Sequence, residues 1–148
     1  MRGSGVGVNL IDTAQDEDRD IAADAAITVY VCITCRRAGD PEDGARPGLL
    51  LARETARAAD GSGVTVKQIR CLANCNRACS AAIRRNCAWT YVFGGLEPSR
   101  DAEALIDGAK LFARADDGLM PWRGRPDILK RGLIARVPPI DFIEEDTE

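Results

Sequence analysis

Five of the six cysteines in the sequence are spaced like the ligands of a metal site. Cys32 and Cys35 form a CxxC pair, and Cys71, Cys75 and Cys79 follow as CxxxCxxxC. Thiolates are soft ligands that bind zinc, copper(I) or iron–sulfur clusters. Because the chain contains no histidine, mixed Cys/His zinc sites are excluded. The pattern therefore predicts a centre held by thiolates alone, with Cys32, Cys35, Cys71 and Cys75 as its ligands.

Two further questions concern the remaining cysteines and the nature of the centre. Cys79 is either an alternative fifth ligand or a small core residue at the start of a strand. Cys87 falls in a predicted hairpin turn, and we interpret it as a thiol that binds no metal. A [2Fe–2S] cluster takes four cysteines and tolerates varied spacing, whereas Cys₄ zinc sites more often use paired CxxC knuckles. We therefore predict a [2Fe–2S] cluster, with zinc as the alternative. Arginines near these cysteines offer charge to the anionic cluster: Arg36, Arg37, Arg70 and Arg77.

The CxxC pair has a second interpretation, because the same motif after a strand is the redox motif of thioredoxins. Thioredoxins carry a proline that faces the CxxC, and residues 71–93 contain none. A dithiol enzyme also has no need of three further cysteines. Two alternatives stay open: a thiol oxidoreductase that uses Cys32 and Cys35, and a metal-handling or metal-sensing protein. No pattern indicates a hydrolytic or acid–base site, so a non-enzymatic carrier is favoured.

The two cysteine groups follow two predicted strands. Residues 27–31 are β-branched or aromatic and lead into Cys32, while residues 64–70 lead into Cys71. Pro47 can begin a helix between them, because its missing N–H is not needed in the first turn. If the strands are parallel neighbours, both cysteine groups emerge at the same edge of the sheet, where open α/β sheets place their sites.

The other elements complete an α/β fold. Residues 80–84 and 89–93 are predicted to form a hairpin whose Trp89, Tyr91 and Phe93 alternate toward the core, and residues 102–113 have helical apolar spacing. The order β-α-β-β-β-α predicts a small mixed sheet of thioredoxin-like type with flanking helices. We divide the chain into a flexible acidic leader (1–26), a domain (27–117), a basic arm rich in Trp, Pro and Arg (118–139) and an acidic tail (140–148). Trp122 in the arm either covers the site, docks a partner, or packs on its own sheet.

Charge and hydropathy predict the class of partner and the cellular compartment of the protein. The net charge is -3, yet residues 30–139 hold 18 bases and 12 acids, which suits an acidic partner or ligand at a basic surface. We expect no nucleic-acid partner, and the oligomeric state stays open. No apolar run approaches the ~20 residues of a membrane helix, and residues 1–26 lack the apolar run of a signal peptide. The sequence therefore predicts a cytoplasmic protein, in a compartment where disulfides are rare.

Four segments carry a resemblance to a known family: VCITC (31–35), CLANCNRACS (71–80), TYVFG (90–94) and DGLMPWRGRP (117–126). They resemble a bacterial family of predicted metal-binding proteins of unknown function, over residues 27–139. The strand before Cys71, the hairpin and the following helix are similar to thioredoxin-like [2Fe–2S] ferredoxins, a fold also found in a small subunit of NADH dehydrogenase. The resemblance implies a ferredoxin-like domain, a single-electron carrier with a redox partner protein, and a link to cobalamin biosynthesis. In those ferredoxins the first two ligands lie farther apart than Cys32 and Cys35, and Cys79 is additional.

Overall fold

The structure, a computed structural model, describes residues 26–35 and 46–144. Most of the predicted leader, residues 36–45 with Arg36 and Arg37, and the last four residues of the acidic tail lie outside these ranges. The side chain of Cys75 also lies outside the described part of the chain, although its backbone belongs to it.

A five-stranded mixed sheet forms the centre of the described residues. Its strands in chain order are β1 (Ile27–Cys32), β2 (Thr65–Ile69), β3 (Ala81–Arg85), β4 (Thr90–Phe93) and β5 (Leu133–Val137). In space the order is β2-β1-β3-β4-β5. β1 and β2 run parallel, whereas the other neighbouring pairs are antiparallel. The predicted mixed sheet and its parallel pair are confirmed.

Helices cover one face of this sheet. They are α1 (Pro47–Ala58), α2 (Ala102–Ala113) and α3 (Ile128–Arg131). Pro47 occupies the first turn of α1, as predicted from its missing N–H. α1 and α2 pack against each other and against β1, while α3 contacts α2 and β5. α2 buries Leu105, Ala109 and Phe112, which is the helical spacing that the sequence displays.

The core lies between the helices and one face of the sheet. β1 alternates between buried and half-buried residues, so that Ile27, Val29 and Val31 point into the core. The predicted alternation of the hairpin aromatics is confirmed for Tyr91 and Phe93, which are buried. The Tyr91 hydroxyl also accepts a hydrogen bond of 2.9 Å from the Met120 N–H. Burial of aromatic rings at the centre of the sheet holds the hairpin against α2.

The helix α3 and the strand β5 were not predicted from the sequence; they lie within the stretch assigned to a basic arm (118–139). In the structure, β5 extends the same sheet, pairing with β4 through Leu133 and Phe93. Gly132 and Gly94 approach closely there, with a 2.8 Å hydrogen bond from the Gly94 N–H to the Gly132 carbonyl. All five residues of β5 are exposed or half-buried, so the strand lacks the alternation of buried apolar residues that predicts a strand from sequence. None of the helices in the described ranges is long and apolar enough to cross a bilayer.

Leu129 provides a test of how firmly the segment after residue 117 packs on the domain. Its side chain is 0% exposed, whereas Leu50 in α1 is 41% exposed. We expect Leu129→Ala to lower the free energy of unfolding by about 2–5 kcal/mol, because it leaves a cavity in the core. Leu50→Ala should change it by only about 0.5 kcal/mol. Urea titration of both variants measures the difference, and equal losses would show that this segment does not pack as described.

Candidate metal centre

The site is built where the parallel strands β1 and β2 end. The register places Cys32 opposite Ile69, and the Ile33 N–H donates a hydrogen bond of 2.9 Å to the Ile69 carbonyl. The Cys32 Sγ consequently lies 3.6 Å from the carbonyl oxygen of Arg70, the residue before Cys71. The expectation that the two cysteine groups emerge at one sheet edge is therefore confirmed at the level of the backbone.

Cys32 and Cys35 form a buried pair against the start of α1. Both residues are buried, and the Gly48 N–H donates to the Cys35 carbonyl at 3.3 Å. A Cβ atom added at Gly48 would overlap the Cys32 carbonyl oxygen and lie 3.1 Å from the Cys35 Cβ. Only glycine lets the helix approach the pair this closely. The helix begins with its positive end beside the two thiols, which favours negative charge on sulfur.

The two thiols have opposite pKa shifts. Burial by itself raises the pKa of Cys32, but hydrogen bonds to its sulfur, from the Cys35 thiol first and then from the Leu72 N–H, outweigh burial and hold the pKa below the ordinary value. Burial raises the pKa of Cys35 to about 12, and its hydrogen bond to Cys32 adds to the rise. Of the two thiols, Cys32 is therefore the one that loses its proton first as the pH rises.

The loop after β2 turns its backbone N–H groups toward sulfur. The Leu72 N–H faces the Cys32 sulfur, and the next N–H, that of Ala73, lies 3.1 Å from the Cys71 Sγ. Ala73 has a φ of 59°, a left-handed conformation that is uncommon for residues other than glycine. Two consecutive backbone donors thus point at sulfurs from the two cysteine groups. Such donors stabilise thiolates and sulfur atoms that carry negative charge.

The other cysteines take different positions. Cys75 begins a 3₁₀-helix, Cys75–Arg77, which keeps its backbone at the same edge of the sheet. Cys79 is fully buried and exchanges backbone hydrogen bonds with Leu96, and the charge of its sulfur also raises the pKa of Cys35. Cys79 therefore lies near the pair and inside the core, which keeps both of its predicted roles open. Cys87 is exposed in the β3–β4 turn at the opposite edge, and its assignment as a thiol that binds no metal stays a prediction.

The donor atoms suit a metal or cluster by their chemistry. Thiols and backbone N–H groups are the partners that iron–sulfur clusters use. Within the described residues, however, no three Cys, Asp or Glu side chains converge at the spacing of a metal site. The side chain of Cys75 is not among these described residues. The ligand set Cys32, Cys35, Cys71 and Cys75 accordingly stays a prediction.

Backbone groups that contribute to this site were not predicted from the sequence. Gly48, Leu72 and Ala73 shape it through close approach and N–H direction, and their side chains carry no chemical signal. Arg46 is a further case: its guanidinium donates a hydrogen bond of 3.0 Å to the Thr34 carbonyl, which ties the start of α1 to the CxxC loop. Pro47 predicted the start of α1, but no residue of this segment signalled that it returns to the site.

Comparison with known proteins identifies the family. A family model described as "Protein of unknown function (DUF1636)" matches residues 29–139. The chain belongs to this family. No curated protein matches the sequence. The structure is similar to that of a thioredoxin-like [2Fe–2S] ferredoxin from Aquifex aeolicus, with a TM-score of 0.50 and 13% sequence identity, over 80% of this chain and 98% of that chain.

These comparisons bear on the predictions in different ways. At 13% identity the structural similarity establishes the fold alone, and the predicted thioredoxin-like α/β class is confirmed. The predicted membership of a family of unknown function is confirmed by DUF1636. Metal binding by that family, and the link to cobalamin biosynthesis, stay predictions.

The pKa shifts of the CxxC pair lead to a pH test on metal-free protein. Because its folded pKa is lowered, the Cys32 thiolate adds stability above its unfolded pKa, which is lost as the pH falls through the folded value. Protonated Cys35 adds stability below its unfolded pKa, which is lost as the pH rises through about 12.

Ultraviolet thiolate absorbance, followed against pH, measures these ionisations directly. We expect Cys32→Ser to abolish an ionisation below the ordinary thiol pKa of 9.0, because that sulfur accepts hydrogen bonds from its neighbours. Cys87→Ser is the control and should retain that early step. If Cys32→Ser titrates like the unaltered protein below this pH, the hydrogen-bonded thiolate does not exist.

Proposed function

We propose that the protein is a single-electron carrier that holds a [2Fe–2S] cluster through Cys32, Cys35, Cys71 and Cys75. The observation that carries this proposal is the meeting of the Cys32–Cys35 pair and the Cys71 loop at the ends of two parallel strands. The similarity in fold to a thioredoxin-like [2Fe–2S] ferredoxin supports it. In this proposal the protein works in the cytoplasm, where cysteines stay reduced.

The residues of the chain have separate tasks in this proposal. When bound, the cluster would supply the chemistry, accepting and releasing one electron. The buried Cys32–Cys35 pair provides the rigid side of the site, anchored on β1 and α1. Cys71 is exposed and provides the side nearest to the surface, from which an electron reaches a partner. The N–H groups of Leu72 and Ala73 offset negative charge on sulfur, which raises the reduction potential.

A second candidate is a thiol oxidoreductase, and one observation favours it. The hydrogen-bonded Cys32–Cys35 pair, with a lowered pKa on one thiol and a raised pKa on the other, is the arrangement of a redox-active CxxC. Against it, the Cys32 side chain is only 3% exposed, which restricts attack on a substrate disulfide. We therefore place this activity second. A zinc-holding protein with the same ligands is a further alternative, and the link to cobalamin biosynthesis remains an implication of the family resemblance.

Anaerobic purification tests the proposal. We expect brown protein that contains about two iron and two sulfide ions per chain, as a [2Fe–2S] cluster requires, and that bleaches with dithionite. Cys32→Ser and Cys71→Ser should each remove most of the iron, since each deletes a thiolate ligand. Cys87→Ser should keep the full iron and sulfide content and is the matched control.

Other outcomes point to the alternatives. Colourless protein with one tightly bound zinc would favour the metal-handling protein. Colourless, metal-free protein that reduces insulin disulfides and loses this activity in Cys32→Ser would favour the oxidoreductase. Iron and sulfide analysis of Cys79→Ser then decides whether the buried Cys79 is a ligand or a core residue: iron loss with intact folding indicates a ligand.

A further inference from the structure

The charges of the chain are distributed unevenly around the thiol site. Residues 61–96 contain five bases and no acid, although the whole chain has a net charge of -3. This stretch includes β2, the Cys71 loop and the β3–β4 hairpin. Its charge is screened by salt over about 8 Å, so an approaching molecule experiences the local charge more than the total. Arg84 and Arg85 lie at the far end of β3, whereas Lys67, Arg70 and Arg77 lie in β2 and the Cys71 loop. Within the described residues, the charge around the Cys71 loop is therefore positive on a chain that is negative overall.

Three exposed arginines flank the thiols, and we call them the arginine edge: Arg46, Arg70 and Arg77. Arg46 donates a hydrogen bond of 3.0 Å to the Thr34 carbonyl, inside the CxxC loop. The Arg70 carbonyl lies beside the Cys32 Sγ. The Arg77 carbonyl accepts a hydrogen bond of 2.7 Å from the Gly95 N–H, where β4 has ended. All three backbones are thus fixed at the same edge of the sheet.

No ion pair between described residues neutralises the arginine edge. The ion pairs between described residues involve other arginines: Arg57, Arg100 and Arg131. Of the acids that follow β4, Asp101 binds Arg100 at 2.9 Å, and the charge of Glu97 acts on Arg100. Among the described residues, therefore, no carboxylate offsets the charge of these three exposed guanidinium groups, which have the fork geometry that pairs with carboxylates.

We propose that the arginine edge docks an acidic surface of the redox partner protein and brings that surface over Cys71. The inference rests on the proposed electron carrier and names the chemistry of its partner. Opposite charges steer association and fix orientation, and docking at this edge places the partner at the exposed thiol of the site. A compact acidic patch on a protein contacts only the arginine edge. A long polyanion such as nucleic acid also extends over the rest of the chain, whose negative charge repels it.

The first test measures local charge through electron transfer. The reduced protein gives one electron to hexacyanoferrate(III), which becomes hexacyanoferrate(II); the cationic counterpart is tris(phenanthroline)cobalt(III), which becomes cobalt(II). We expect the rate with the anion to fall about tenfold as ionic strength rises from about 10 mM to about 300 mM, and the rate with the cation to rise. If the net charge of -3 governed the approach of both reagents, the rate with the anion would rise with ionic strength and the rate with the cation would fall. That result would overturn the proposal.

Charge-reversal variants locate the effect. In Arg70→Glu/Arg77→Glu, the slope with hexacyanoferrate(III) should vanish or change sign. Arg84→Glu/Arg114→Glu is the matched control, because both residues are exposed at the opposite edge of the sheet and the total charge changes equally. Its slope should stay that of the unaltered protein. Equal effects of the two variants would overturn the proposal, since total charge rather than the arginine edge would then control the rate.

A second test needs no cluster, so it separates failure of the docking surface from failure of the proposed function. Metal-free Cys87→Ser protein leaves Cys71 as the exposed thiol among the described cysteines. Its thiolate attacks the anionic disulfide dithiobis(nitrobenzoate), forming a mixed disulfide and releasing thionitrobenzoate, or attacks cationic cystamine, releasing cysteamine. We expect added salt to slow the reaction with the anionic reagent and to speed the reaction with the cationic reagent. The opposite dependence on salt would overturn the arginine edge, whether or not the protein holds a cluster.

A polypeptide probe then tests the class of partner. With the neutral reagent dithiodipyridine, poly-L-glutamate should slow modification of Cys71 in the Cys87→Ser protein, because it covers the arginine edge. The same protein carrying Arg70→Glu/Arg77→Glu should lose this protection. Stronger protection by duplex DNA than by poly-L-glutamate would overturn the acidic protein partner in favour of a nucleic acid. Absence of protection by either polyanion would overturn docking at this edge.

Discussion

The parallel pairing of β1 with β2 is the constraint on which the rest of the structure depends. Parallel neighbours need a crossover connection, and α1 supplies it while covering the buried face of β1. The register that aligns Cys32 with Ile69 fixes where both strands end. A shift of one residue would reverse the faces of β2 and move the Cys71 loop away from the CxxC pair. The site is therefore a consequence of sheet register.

The cysteines at this edge of the sheet are buried on one side of the site and exposed on the other. Cys32 and Cys35 are buried under the start of α1, whereas Cys71 is exposed. The close approach at Gly48 makes the buried side rigid, and the N–H groups of Leu72 and Ala73 balance charge on the open side. In the proposed electron carrier, this arrangement would hold one half of the ligands in the core and leave the other half at the surface, where the partner accepts the electron. The three exposed arginines of the arginine edge lie next to this open side.

The elements with strong periodicity were predictable. β1, the helices α1 and α2, and the aromatic hairpin are each dominated by residues that face one core, so their patterns reflect burial. β5 and α3 escaped prediction because α3 is a single turn and β5 is mostly exposed. What makes β5 a strand is its pairing with β4, together with the glycine contact between Gly94 and Gly132. Such a contact between distant residues leaves little trace in local composition.

The sequence by itself determined the chemistry that is available: clustered thiols, no histidine, and two strands that each deliver cysteines. Residue type and spacing along a strand suffice for that, since both are local. Only the tertiary structure decided which thiols are buried, which share a hydrogen bond, and which backbone N–H groups face them. Those properties arise from the approach of α1 and the Cys71 loop to β1, and a close approach between segments that are distant in the chain depends on packing rather than on the residues of any one segment.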